Sequence, residues 1–140
     1  MPKCDDTRLL HNAAELTAHQ IPLLALIESP SALNALPKLA RMPEVAGLML
    51  GSEDYSAVLG VDPDGGALET PVIQIANAAA ARGLLTIGFP GSIANFRDLD
   101  RYADQIAHGR ALGMRAVAAI HPAQLPVIRQ TLAPTQAQID

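Results

Sequence analysis

Short apolar runs alternate with helix-forming stretches along this chain, and that alternation limits its fold more than any other feature. Pro22–Ile27, Val45–Leu50, Leu84–Ile87 and Arg115–Ile120 read as buried strands. The helical stretches are Thr7–His19, Pro30–Arg41, Thr70–Ala81, Asn95–Leu112 and a last one running from His121-Pro122 to near Leu132. Local punctuation agrees with these assignments. Asp5 and Asp6 are candidate N-caps for the first helix, and Ser29-Pro30 places an N-cap before a first-turn proline. Gly83 and Gly113 follow helix ends. Tyr55–Leu59 has room for one turn, and Gly60–Gly66 is rich in turn formers. Strands recurring every ~25–35 residues with helices between them imply βαβ units and a parallel sheet. Right-handed crossovers then bring all strand C-terminal ends to one rim, in an open sheet or a closed barrel. Glu28, the Gly51–Asp54 turn, Gly88–Gly91 and His121 all fall on that rim.

Composition removes several functional classes. With 140 residues, 49% of them hydrophobic and 17% charged, the chain reads as a single domain, 1–140, with enough apolar surface for a core. The net charge of −4 comes with scattered basic residues, so no basic stripe for nucleic acid is present. No apolar run approaches the ~18 residues of a membrane span, and the start lacks a secretory apolar core. A single cysteine, Cys4, rules out an intrachain disulfide, fits a cytoplasmic protein and reads as a buried thiol. No tryptophan occurs and aromatics are 3% of residues, which argues against stacking platforms for bases or sugars.

Two carboxylates stand out on the rim. Glu28 closes the run from Pro22, and Asp54 follows the run from Val45, 26 positions later, about one strand–helix–strand unit. Mg²⁺ takes oxygen ligands and is commonly held by one or two carboxylates plus water and substrate, so the pair is a candidate metal site. The plainer reading makes Glu28 an acid near the start of the Ser29–Arg41 helix and Asp54 a turn residue or cap. The small-residue turn Gly51-Ser52 adds backbone N–H groups able to cradle a carboxylate. Glu53 reads as solvated or orienting rather than ligating. His121 is either an acid or base, or a strand-end histidine bonded to backbone, which is the commoner case. Asp62 and Asp64 lack the spacing of an EF-hand loop, which excludes calcium binding of that type. Neither a dinucleotide or P-loop glycine pattern nor G-x-S-x-G nor paired C-x-x-C occurs, so no catalytic residue is assigned.

Three ordered motifs resemble a known family: Leu24-Ala-Leu-Ile-Glu-Ser-Pro30, Gly51-Ser-Glu-Asp-Tyr-Ser-Ala-Val-Leu-Gly60 and Ala119-Ile-His-Pro-Ala-Gln124. They look like the citrate lyase beta-subunit family, which belongs with the HpcH/HpaI aldolases and malyl-CoA lyases. The resemblance implies an α/β fold, a parallel βα repeat forming about the second half of a (β/α)8 TIM barrel. It implies Mg²⁺-dependent (or Mn²⁺-dependent) carbon–carbon lyase chemistry, an aldol- or Claisen-type cleavage of a citryl-CoA, malyl-CoA or related β-hydroxy acid substrate. Glu28 and Asp54 would be the metal ligands, and the backbone N–H groups of Glu53 and Asp54 would hold the substrate carboxylate. Expected partners are a small carboxylate or acyl-CoA and either further copies of the chain or a companion barrel half.

The departures define the alternatives. A (β/α)8 barrel takes about 250 residues, whereas four strands and a stub at Met1–Cys4, resembling an internal strand end, are found here. The family's early strands, with their substrate-binding arginine, have no counterpart, and the chain stops at Thr135–Asp140 where relatives continue. Val117 and Ala118 stand near a lysine of many relatives, and an acid common around Gly88 is missing. The expected lyase is therefore incomplete as a single chain. Its alternatives are a truncated remnant or metal- and carboxylate-binding module without turnover, and an open-sheet protein whose acids are only caps.

Overall fold

The computed structural model describes residues 1–134 and 136. The expectation placed on Thr135–Asp140 falls outside the described residues apart from Gln136. The element order is α1 (Thr7–Leu16), β1 (Leu23–Ile27), α2 (Pro30–Leu39), β2 (Val45–Leu50), α3 (Ser52–Leu59), α4 (Glu69–Ala80), β3 (Leu85–Ile87), α5 (Leu99–Ala111) and α6 (Gln124–Leu132).

β1, β2 and β3 form a parallel sheet in that order, with Ala25 opposite Leu48 and Leu48 opposite Thr86. Met1 extends it. Its N-terminal amine donates to Leu24 O at 2.8 Å and its carbonyl accepts from Leu26 N at 3.0 Å, bonds to both neighbours of Ala25 as in a parallel pairing. The expected stub is thus seated beside β1. The expected fourth strand, Arg115–Ile120, is not a strand: one parallel bridge, Ile87 to Ala116, remains of it. Its later amides are diverted, because Ile120 N and His121 N both donate to the side chain of Gln124 rather than to a ladder.

One sheet face carries Ala25, Ile27, Leu48 and Leu50, all at most 3% exposed, which pack in one cluster with Leu10, Leu36, Leu39, Val72 and Ile75 of α1, α2 and α4. The other face carries Leu24, Leu26, Gly47, Met49 and Leu85. Leu24 and Leu85 stay 38% and 44% exposed there. Gly47 suits this crowded strand centre, since a Cβ would lie 2.7 Å from Leu24 Cδ2 and 3.0 Å from Leu85 O. A smaller cluster joins α5 to α6 around Phe89, Tyr102 and Ile106, with Phe89 and Tyr102 edge to face at 5.4 Å. Cys4 is fully buried and its Sγ donates to Met1 O. Burial raises its thiol pKa.

Several helix ends differ from expectation for local reasons. α1 stops at Leu16 because Ala18 and His19 take φ of 51° and 56°. α2 starts as expected, with Ser29 Oγ accepting from Ala32 N at 3.0 Å, but ends at Leu39 rather than Arg41. α3 begins at Ser52, three residues before the single turn expected. α5 begins at Leu99, capped by Asp98, because Asn95 is engaged elsewhere. Within α3, Ser56 Oγ is buried without a hydrogen-bond partner among the described residues. Ser56→Ala removes that desolvated hydroxyl and is expected to stabilise the fold by ~1 kcal/mol in urea titrations. A loss of stability would show that the hydroxyl has a partner after all.

Candidate metal centre

The rim is built by the turns that leave β1 and β2. Gly51 N donates to Ile27 O at 2.9 Å, so the ladder runs on to the residue before α3. A Cβ at Gly51 would sit 2.6 Å from Glu28 Cγ, so a glycine lets Glu28 lie against this turn. Glu28 and Asp54 line one cleft of about 410 Å³ together with Lys3, Asp5, Ser29, Ala57 and Val58. The pair singled out in the sequence is brought together.

Neither acid caps a helix. Ser29 caps α2, and Glu28 Oε2 instead accepts from Lys3 N at 2.8 Å. Asp54 has no hydrogen-bond or ion-pair partner among the described residues, and α3 has no side-chain cap. Asp5, expected as a cap of α1, reaches Ser29 Oγ at 2.5 Å and lines the cleft. Asp6 takes the capping role by accepting from Arg8 N. Among the described residues no three His, Cys, Asp or Glu side chains gather as a metal-holding group. A two-carboxylate donor set fits Mg²⁺ or Mn²⁺, hard cations that complete their shells with water and substrate oxygens. Beside the pair, the amides of Ser52, Glu53 and Asp54 open α3. The first amide to bond back is Tyr55 N, to Gly51 O at 2.9 Å. Unpaired first-turn amides and the helix dipole favour an anion there.

Glu53 and Asp64 have distant partners that sequence reasoning did not identify. Glu53 is exposed, yet its Oε1 accepts from Ser92 Oγ at 2.6 Å and Ile93 N at 3.0 Å. Asp64 is the hub of an internal network. It accepts from Ser92 N, Asn95 Nδ2 and Gln105 Nε2, and pairs with Arg101 at 2.8 Å. Burial pushes its pKa up, yet the Ser92 N–H, the two amides and the guanidinium outweigh that and hold it below the usual range. Gln124 is fully buried. Its Oε1 accepts from Ile120 N and His121 N, and its Nε2 donates to Ile93 O at 2.9 Å. The Gln of Ala119–Gln124 was the available signal, though nothing local announced its partners. His121 follows the backbone-bonded alternative: Nδ1 accepts from Ala123 N at 3.2 Å, and the ring stacks on Phe96 at 4.9 Å. A larger cavity, about 640 Å³, lies at the start of β3 near Asn77 and Arg115, and no carboxylate lines it.

The chain is an α/β protein with a parallel sheet, and its structural neighbours are of the citrate lyase and TIM-barrel type. RipC from Yersinia pestis superposes with a TM-score of 0.85 at 28% identity, over 100% of this chain and 65% of that one. The citrate lyase beta subunit of M. tuberculosis, complexed with oxaloacetate and magnesium, gives 0.64 at 26% identity, over 87% and 57%. The model of the HpcH/HpaI aldolase/citrate lyase family matches residues 4–122, and the chain belongs to that family. A (3S)-malyl-CoA thioesterase of Cereibacter sphaeroides is 29% identical over 100% of this chain and 49% of its own length. The citrate lyase subunit beta of Escherichia coli (strain K12) is 31% identical over 84% and 39%. The chain thus spans half or less of the length of these curated relatives. No described helix is long and apolar enough to cross a membrane.

Proposed function

We propose that residues 1–140 are a single domain corresponding to the C-terminal portion of a family barrel, and that Glu28 and Asp54 hold Mg²⁺ or Mn²⁺. The observation that carries this reading is the sharing of one cleft by two uncapping carboxylates beside an open helix N-terminus. The amides of Glu53 and Asp54 orient a substrate carboxylate toward that cleft. A bound divalent cation would stabilise the enolate charge that develops when a β-hydroxy acyl or oxo-acid bond is cleaved. The reaction proposed is an aldol- or Claisen-type cleavage of a citryl-CoA, malyl-CoA or related substrate. A magnesium- and oxaloacetate-bound relative and a relative named for malyl-CoA support that class. The single unbridged thiol supports a reducing, cytoplasmic setting.

A second reading, a metal- and carboxylate-binding module without turnover, is favoured by His121. Its Nδ1 is bonded and its ring stacked, so the one rim histidine is engaged in structure. The half-length match and the apolar second sheet face support completion by another copy or a companion barrel half, because parallel sheets are normally covered on both faces.

Titrating Mn²⁺ calorimetrically into wild type and Glu28→Ala tests the site: wild type is expected to bind, and the variant to lose at least ~10-fold in affinity. Equal affinities would leave the pair as surface acids. Cleavage of malyl-CoA or citryl-CoA by the metal-loaded chain favours the lyase, and metal binding with neither substrate cleaved favours the module. Gel filtration with mass detection reads the assembly. A stable monomer with a cooperative unfolding transition would count against completion by a second copy.

A further inference from the structure

We infer that Glu53 is a positioning residue for the metal centre, acting through Asp54; this rests on the metal reading proposed above. An acid in the first turn of a helix ordinarily stays near its own free amides, where the dipole favours it. Glu53 does not cap α3: that helix has no side-chain cap, and the Glu53 carboxylate reaches across to Ser92 Oγ and Ile93 N. Two consequences follow. The first-turn amides keep no hydrogen-bonding anion of their own, so an external carboxylate meets unpaired donors. The first turn of an eight-residue helix is also tied to a buried anchor, because Ser92 is 8% exposed and held from behind by Asp64. Ile93 is held in turn by the fully buried Gln124. Asp54, the next residue, has no partner of its own among the described residues, so its orientation depends on the turn that carries it.

Mn²⁺ alone is the probe, read by paramagnetic broadening of amide signals in the isotope-labelled chain. Amide hydrogen exchange at Ile93 is the independent readout, and thermal unfolding is the control. Glu53→Ala is expected to weaken Mn²⁺ binding ~10-fold, the scale of lost outer-shell support, and to speed exchange at Ile93. Glu53→Gln keeps an acceptor for both donors and is expected to restore both. Should Glu53→Ala fail to fold, Ser92→Ala cuts the same tie from the loop side and is expected to weaken binding about threefold. Wild-type affinity in Glu53→Ala, with exchange at Ile93 accelerated, overturns the inference alone, since Glu53 then fastens the loop and nothing more. Failure of Glu53→Gln to rescue also overturns it. A wild type that binds no Mn²⁺ overturns the metal reading and this inference with it.

Discussion

Asp64→Ala is expected to lower the unfolding free energy by ~3 kcal/mol, the scale of several charge-assisted hydrogen bonds lost from a largely buried carboxylate. The Asp64 side chain is 12% exposed and serves Ser92, Asn95, Gln105 and Arg101 together, so its removal strands donors from a loop and a helix. Asp64→Asn keeps an acceptor and is expected to lose about half as much. The sign of the acid dependence follows from the pKa. The folded carboxyl is held below its ordinary value of 3.8. Its contribution is therefore present above that ordinary value and is lost as pH falls through the lower folded one. Asp6 is lowered too, by the Arg8 backbone N–H and then its guanidinium side chain, and is present in both proteins. The difference between wild type and Asp64→Asn in urea titrations on both sides of that window therefore isolates Asp64. Parallel pH profiles for the two proteins would sink the assignment.

What could be read from the sequence was what short-range patterning controls. β1 and β2 were legible because an unbroken apolar run bounded by turn formers has few other uses, and Ser29-Pro30 marked its helix for the same reason. The meeting of Glu28 and Asp54 followed from parallel topology alone: residues that end neighbouring strands must share a rim. The fourth strand failed because Arg115–Ile120 has strand-like composition, while a ladder also needs free amides, and Gln124 takes those of Ile120 and His121. The late start of α5 has a similar cause, since Asn95 is used by Asp64 from 31 residues away. Glu53 reaches Ser92 over 39 residues and Asp64 reaches it over 28. Pairings at such separations leave no periodic trace, so an acid tied to a distant loop looks the same in sequence as one without a partner.

Gln124→Leu tests whether these separate ties act as one unit. Leucine approximates the volume but leaves two backbone N–H groups and the Ile93 carbonyl without their partner, and is expected to cost ~3 kcal/mol, measured by chemical denaturation. The three bonds are 2.9, 3.0 and 2.9 Å long and all converge on one fully buried side chain. Because Gln124 holds Ile93 O while Glu53 holds Ile93 N, the two grip one residue from opposite sides. Their losses should then not add: once either grip is gone, the other secures a loop already free to move. A double-mutant cycle of Gln124→Leu and Glu53→Ala is expected to show a coupling of ~1 kcal/mol, within the range for residues sharing a network. Strictly additive losses would mean that the Ser92–Ile93 loop is held by independent contacts. The rim would then be a set of local solutions rather than a single rigid support for the cleft between Glu28 and Asp54.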